Sequence, residues 1–275
     1  FQPAEEHGSG ARDMVNDGLT KRVPAPDICL GQHVGSERVG SIHARPGPAM
    51  AQSDSIDIVV HGRGGHGSSP HSAIDPVVLV AAIITRLQTI VARELSPWDF
   101  GVVTVGMVEA GSKSNIIPAT GRLQVNVRSY EPAIRERILT AIERIVKAEC
   151  DAAGCERQPD IRYFDQVPLT ANDPDVTEKV MAAFREVYGD EVMEAEPDTG
   201  SEDFSEIPNA WGVPYSYWFV GGWDAEEYDK AEAAGRIDSD IPTNHSPFFA
   251  PVLQPTLRVG TEAALIAAMV YLSQD

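Results

Sequence analysis

The order in which hydrophobic periods change between Asp54 and Tyr163 constrains this chain more than any other feature of its sequence. Ile56, Ile58 and Val60 alternate with Asp57 and His61, the two-residue period of a half-buried strand. Asp75-Pro76 places an N-cap and a first-turn proline ahead of Val77 to Val91, a run apolar nearly all round and therefore expected to be a buried helix. Val103, Val105 and Met107 alternate with Thr104, Gly106 and Val108, and Leu123, Val125 and Val127 alternate with Gln124, Asn126 and Arg128. Two paired strands on either side of a Gly/Ser/Asn loop are expected. Pro132 opens a second helix in which Ile134, Ile138, Ile142, Ile145 and Val146 form a single stripe, and Ile161-Arg162-Tyr163 offers a last short strand.

Strand, helix, strand, strand, helix, strand is the split pattern of a ferredoxin-like α+β sandwich. That domain is complete over 52–164, which leaves 1–51 and 165–275 as one interrupted domain. In these flanks Asp175 to Tyr188 and Thr256 to Leu272 are expected helices, and Tyr215 to Val220 is an aromatic-rich strand. Interleaved strands and helices point to a mixed α/β sheet, of which too few strands are present to complete it.

Composition narrows the partners. The 275 residues carry 22 Lys and Arg against 41 Asp and Glu, a net charge of −19, with no basic cluster, so neither nucleic acid nor an anionic membrane is an expected partner. The longest strongly apolar stretch, Val77 to Ile84, is too short to span a bilayer. Cys29, Cys150 and Cys155 lack the paired spacing of a zinc cluster or a disulfide framework, so reduced thiols and a cytoplasmic location are expected.

Several residues can carry chemistry. Glu5 and Glu6 sit in a turn before a helix expected over Ala11 to Asp17. Adjacent carboxylates point different ways, so one can hold a metal while the other reaches an attacking water; surface glutamate pairs are also common. His33 follows the apolar run Ile28-Cys29-Leu30, where imidazoles gather outside the carboxyl end of a strand, and His245 lies in the proline-terminated loop Thr243 to Phe249. Each also fits a plain loop histidine. Neither has a second His or Cys three or four residues away, so a metal site here must be assembled from distant segments. Gly62 to His71 matches no phosphate loop or dinucleotide fingerprint and presents His66 at an exposed edge, or forms a structural turn. Asn115 and Arg128, expected on neighbouring strands of one sheet, suit a substrate carboxylate or a solvent-facing surface equally.

Six segments in order, Phe1 to Glu6, Gly31 to Val34, Gly62 to His71, Ser114 to Pro118, Gly200 to Phe204 and Asn244 to Pro247, resemble the dinuclear metal-dependent amidohydrolases and metallopeptidases. That family includes aminoacylase, hippurate hydrolase, the glutamate carboxypeptidases and the hydrolases of auxin-amino acid conjugates. Pro-Ala-Glu-Glu and Gly-Ser-Glu-Asp-Phe resemble its N-acyl amino acid branch in particular. The resemblance implies a zinc-peptidase-like mixed-sheet catalytic domain interrupted by a dimerisation, or lid, domain. It implies that Glu5 is the general base and proton shuttle, that Glu6, His33 and His245 are metal ligands, and that His66 of one subunit polarises the scissile carbonyl in the other. Asn115, Arg128 and, in second place, His71 are the implied substrate contacts. Two divalent ions (zinc, manganese, cobalt or nickel), a small N-acyl amino acid substrate and a homodimer complete the expectation.

One departure qualifies it. The family's further ligands come from a Cys-Gly-His-Asp-type segment upstream of the glutamate pair, and nothing in the chain replaces it. An incomplete metal site, weak metal binding and inactivity of the chain alone are therefore expected. The chain is then a fragment of a normal enzyme, one of two complementary chains, or a degenerate homologue acting as a dimerising binding protein.

Overall fold

A computed structural model describes residues 2–5 and 8–272. The strands are β1 (Cys29–Arg38), β2 (Ile42–Ala44), β3 (Gly47–Met50), β4 (Gln52–His61), β5 (Gly65–His66), β6 (Gly101–Ala110), β7 (Ile116–Ile117), β8 (Thr120–Ser129), β9 (Asp160–Val167), β10 (Thr170–Asn172), β11 (Val192–Glu194) and β12 (Tyr215–Trp223). The helices are α1 (Gly10–Asn16), α2 (Leu19–Arg22), α3 (Pro76–Thr89), α4 (Pro132–Ala152), α5 (Pro174–Tyr188), α6 (Glu206–Trp211), α7 (Ala225–Ala233), α8 (Ile237–Asp240) and α9 (Leu253–Leu272). The chain divides into two compact units, one spanning Ala51–Leu169 and the other formed by the segments before and after it.

The inserted unit is built on one antiparallel sheet of order β6-β8-β4-β9, the strand order of a ferredoxin-like sandwich. Alternation along β4 turns Ile56, Ile58 and Val60 into a core closed by α3 and α4, in which Ile138, Ile142 and Val146 are fully buried. Polar residues of the same strands meet beside that core: Arg122 Nε donates to Asp57 Oδ1 at 2.6 Å, and Asn126 Nδ2 donates to Ser53 Oγ at 3.0 Å. Asp75 caps α3, its Oδ1 accepting from Val77 N at 2.9 Å. The Gly/Ser/Asn loop also contains β7, which pairs with β5 as a small ribbon, His66 opposite Ile116.

Helix α3 differs from its expectation. Leu79, Val80, Ile83 and Leu87 are buried, but Val77 and Val78 are 44% and 66% exposed. A run of Val, Ala and Ile has no polar face to reveal which side meets the sheet, so the sequence looked buried all round. The continuous helical run Pro76–Glu94, 19 residues at mean hydropathy 1.5, is long and apolar enough to cross a bilayer by length and composition, contrary to the shorter stretch read from sequence. Its buried side belongs to the core of this unit.

The interrupted unit holds a mixed sheet of order β1-β12-β2-β11, with β1 parallel to β12 and β2 antiparallel to β12. Helices α5 and α9 pack against it around Phe184 and Trp218, whose rings meet edge to face at 5.3 Å. Asp173 caps α5 by accepting from Val176 N at 3.0 Å.

His43, on β2, shows how burial reaches into stability. Ser41 Oγ donates to Arg38 O at 2.6 Å, so at the 2.7 Å contact with His43 Nε2 the hydroxyl accepts and the imidazole donates. Burial pulls the folded pKa of His43 below its ordinary value. A folded pKa below the unfolded one means that protons bind the unfolded chain more readily. The stability His43 permits is therefore full above the unfolded value of about 6.5 and is lost as pH falls toward the folded value. Urea midpoints measured between pH 8 and 5 should fall less steeply for His43→Gln than for the unsubstituted chain; parallel curves would contradict this.

Candidate active site

The strand pair β1 and β12 supplies the floor. Its parallel register sets Gly31 beside Tyr217 and His33 beside Phe219. At Gly31 a Cβ would stand 2.8 Å from the Tyr217 ring, so glycine lets that ring lie against the strand. His33 occupies the middle of β1 rather than a position past its end, because the strand runs on through Val34 to Arg38 where the sequence shows no apolar pattern. Its Nδ1 lies 2.8 Å from Val34 O. A carbonyl only accepts, so Nδ1 carries the proton and Nε2 is left with a lone pair for a metal.

Asn244 brings the second loop to the same place, donating from Nδ2 to Val34 O at 3.2 Å. The next residue, His245, is exposed and has φ of 69°, left-handed backbone that a residue with a side chain adopts at a cost. Ala4, immediately before Glu5, has φ of 53°. Strain of this kind concentrates where a side chain must be aimed.

Glu5 lies on a turn whose ends are drawn together, because Pro3 O stands 1.5 Å from where a Cβ of Gly10 would be. Carboxylate oxygens of Glu5, Glu202 and Asp203 all lie within 4.8 Å of one another, and Glu202 and Asp203 are 4% and 1% exposed. A pocket of about 490 Å³ is lined by Gln2, Glu5, Gln32, His33 and Glu202 on its polar side and by Leu30, Phe204, Ile207 and Tyr217 on its apolar side. Burial, with the neighbouring Glu202 carboxylate, raises the Asp203 pKa, although the Ala11 N–H partly offsets it. Burial and the same acids push the Tyr217 hydroxyl far above its ordinary range, so it stays protonated and donates to Glu202 Oε2 at 2.6 Å.

The donor set fits a divalent cation. An imidazole with an open Nε2 faces the pocket, and among the described residues Glu37 Oε2, further along the same face of β1, is buried without a hydrogen-bond partner. Glu6 lies outside the described residues. Glu202 lines the pocket and Asp203 lies beside it; their motif carries the family resemblance but assigns neither a role, and spacing alone cannot link them to Glu5 across about 200 residues of intervening chain.

The inserted unit holds the remaining candidates. Ser68 N–H donates to His66 Nδ1 at 3.2 Å, with Ser68 Oγ 2.7 Å away, so the proton of a neutral ring resides on Nε2. The exposed ring thus offers an N–H donor. Asn115 is joined to the same ribbon, its carbonyl accepting from Gly67 N at 2.8 Å. Arg128 is near the far end of β8, about 27 Å along the strand from Thr120, where its Nε donates to Asn126 Oδ1 at 3.1 Å. His71 is exposed in the single turn Pro70–Ser72.

A small α+β domain inserted into a mixed α/β one, with acids and an imidazole at one pocket, is the arrangement of a peptidase or amidohydrolase. Residues 51–153 match the peptidase dimerisation domain of the M20 family. Thermostable carboxypeptidase 2 of Saccharolobus solfataricus is 37% identical over 250 residues, 88% of this chain and 61% of its own length. N-acetylcysteine deacetylase of Bacillus subtilis is 32% identical over 251 residues, 91% of this chain and 63% of its own. Among solved structures, a candidate aminohydrolase from methicillin-resistant Staphylococcus aureus superposes with a TM-score of 0.81 at 32% identity, over 99% of this chain and 66% of that one. The YXEP protein of Bacillus subtilis, described as a dinuclear metal binding peptidase, gives 0.70 at 26% identity, over 98% of this chain and 62% of that one. Residues 51–153 thus carry the M20 peptidase dimerisation domain, and over 88% to 91% of its length the chain is a homologue of peptidases and deacetylases. It spans 61% of the length of the carboxypeptidase it matches.

Proposed function

We propose that the full-length protein hydrolyses the amide bond of N-acyl amino acids, releasing a carboxylic acid and the amino acid. The observation that carries this is the convergence of Glu5, Glu202 and His33 on one half-apolar pocket, with Asp203 beside the two acids. Similarity to deacetylases of N-acetylcysteine and N-acetyldiaminopimelate supports an acyl amino acid over a longer peptide. Hippurate-like substrates belong to the same reading, and the apolar lining of Leu30, Phe204 and Ile207 suits an acyl chain or ring.

His33 and His245, with Glu6, would hold the metal ions, of which zinc, manganese, cobalt and nickel all suit the donors. Bound divalent ions would supply Lewis acidity toward the carbonyl and ease ionisation of water. Glu5 takes the proton from the attacking water and returns it to the departing nitrogen. In this reading the chain forms a homodimer through the inserted unit, and the Nε2–H of His66, with Asn115 beside it, reaches the carbonyl bound by another copy. Arg128, on β8 of the inserted unit, would bind the substrate carboxylate.

Full-length protein assayed on N-acetyl, N-benzoyl and indole-acetyl amino acids should lose activity on chelation and regain it with one of the four metals. Inactivity across substrates and metals would sink this reading and favour a dimerising binding protein.

A further inference from the structure

The motif Gly200 to Phe204 is adjacent to the base yet has no part in the chemistry just described, and its hydrogen bonds show what it does. We propose that Asp203 is a positioning residue for Glu5, holding both ends of the turn that carries it; the proposal rests on the reading of Glu5 as the base. One oxygen of the Asp203 carboxylate accepts from Gln2 Nε2, before Glu5, and the other accepts from Ala11 N at 3.0 Å, after it. Helix α1 has Ser9 at its N-cap position, but the serine side chain makes no capping bond, so Asp203 satisfies an N–H of the first turn from a distant segment. At 1% exposure Asp203 is itself immobilised.

Glu202 completes the clamp. Its oxygens accept from Tyr217 Oη at 2.6 Å and Phe204 N at 2.9 Å, which fixes the segment bearing Asp203 to β12 and to the start of its own turn. Both carboxylates therefore have partners within the chain, which suits supporting groups better than metal ligands. The Pro3 carbonyl lies against Gly10, where no other residue fits, so the turn has little room to relax and its aim depends on what holds its ends.

The experiment compares full-length Asp203→Ala, Asp203→Asn and Gln2→Ala with the unsubstituted protein in steady-state kinetics and in amide hydrogen exchange of the peptide covering residues 2–11. Asp203→Ala should lower kcat about 100-fold with KM within about threefold, since an ångström of misplacement is enough to do so. Asp203→Asn keeps one acceptor oxygen and should recover part of the loss. Gln2→Ala, which leaves the Ala11 contact intact and does not threaten folding, should lower kcat about tenfold. Exchange should quicken in residues 2–11 and stay unchanged in α9. Unchanged exchange at 2–11 in Asp203→Ala, or kcat within about twofold of the unsubstituted protein in both Asp203→Ala and Gln2→Ala, would overturn the proposal. Exchange quickened equally in α9 would do so too, because it would reveal a general structural role. A full-length protein that hydrolyses no acyl amino acid would sink the reading of Glu5 as base, while exchange at 2–11 would still decide whether Asp203 holds the turn.

Discussion

Glu5→Gln in the full-length protein is expected to lower kcat by roughly 10²- to 10⁴-fold, the range associated with removing a general base. The substitution is nearly isosteric, so the turn, the pocket and the contacts of Glu202 and Asp203 are retained, and only the ability to take a proton is lost. KM should change little, because a residue that acts on the attacking water contributes to the transition state rather than to ground-state binding. Metal content should also be retained, since Glu5 is not among the proposed ligands. His33→Ala makes the contrast: it removes the imidazole whose Nδ1 is already committed to Val34 O, and activity should be lost together with metal. If Glu5→Gln retained kcat within tenfold, or lost metal as His33→Ala does, the assignment of base and ligand would have to be redrawn.

Arg135→Ala should produce the largest loss of stability in the inserted unit. Asp54 is 1% exposed and receives Arg135 Nε and Nη2 at 2.6 Å each, with Gln166 Nε2 adding a third donor at 2.7 Å. Deleting the guanidinium leaves a buried carboxylate with a single amide donor, and breaking such a pair from one side costs about 3–5 kcal/mol. Replacing both partners tests the cause. Asp54→Asn combined with Arg135→Met removes the stranded charge and should recover much of the loss, whereas simple additivity of the two single changes would show that packing of the arginine stem, not its charge, was responsible. Urea denaturation followed by circular dichroism separates these outcomes, provided that the two units unfold in resolvable steps or together.

The inserted unit was legible because its elements are long and its periods clean. The stripe Ile134, Ile138, Ile142 on α4 and the alternation on β4 each state their own conformation, and the order of elements then leaves few ways to close a sheet. Short elements leave no such trace. Strands β2, β3, β10 and β11 have three or four residues apiece, below the length at which any period can repeat, and they exist through pairing with partners far along the chain. The same limit governs the site. Glu5 and His33 stand out as chemical candidates, but their meeting with Glu202 and Asp203 is a product of the fold, and His33 reads as a strand end because the apolar run Ile28-Cys29-Leu30 stops before it. Glu37 is tolerated in β1 because Gly35, lacking a Cβ, leaves room for its carboxylate; a Cβ there would stand 1.9 Å from Glu37 Oε2.

The insertion also prescribes an order of assembly. In the interrupted unit the parallel pair β1 and β12 joins residues such as Gln32 and Trp218, 186 positions apart, and such a closure is slow if the intervening chain is loose. The inserted unit removes that burden once it folds, because its first and last strands pair, Ser53 opposite Val167, and so deliver the chain ends beside one another. Met50 and Thr170 are then already neighbours and zip together as β3 and β10. A nascent chain can thus complete its dimerisation domain before β12 has been synthesised, while the pocket that holds Glu5 cannot close until the chain beyond it has emerged. Substitutions that destabilise the inserted unit should consequently lower the yield of folded pocket without touching a residue that lines it.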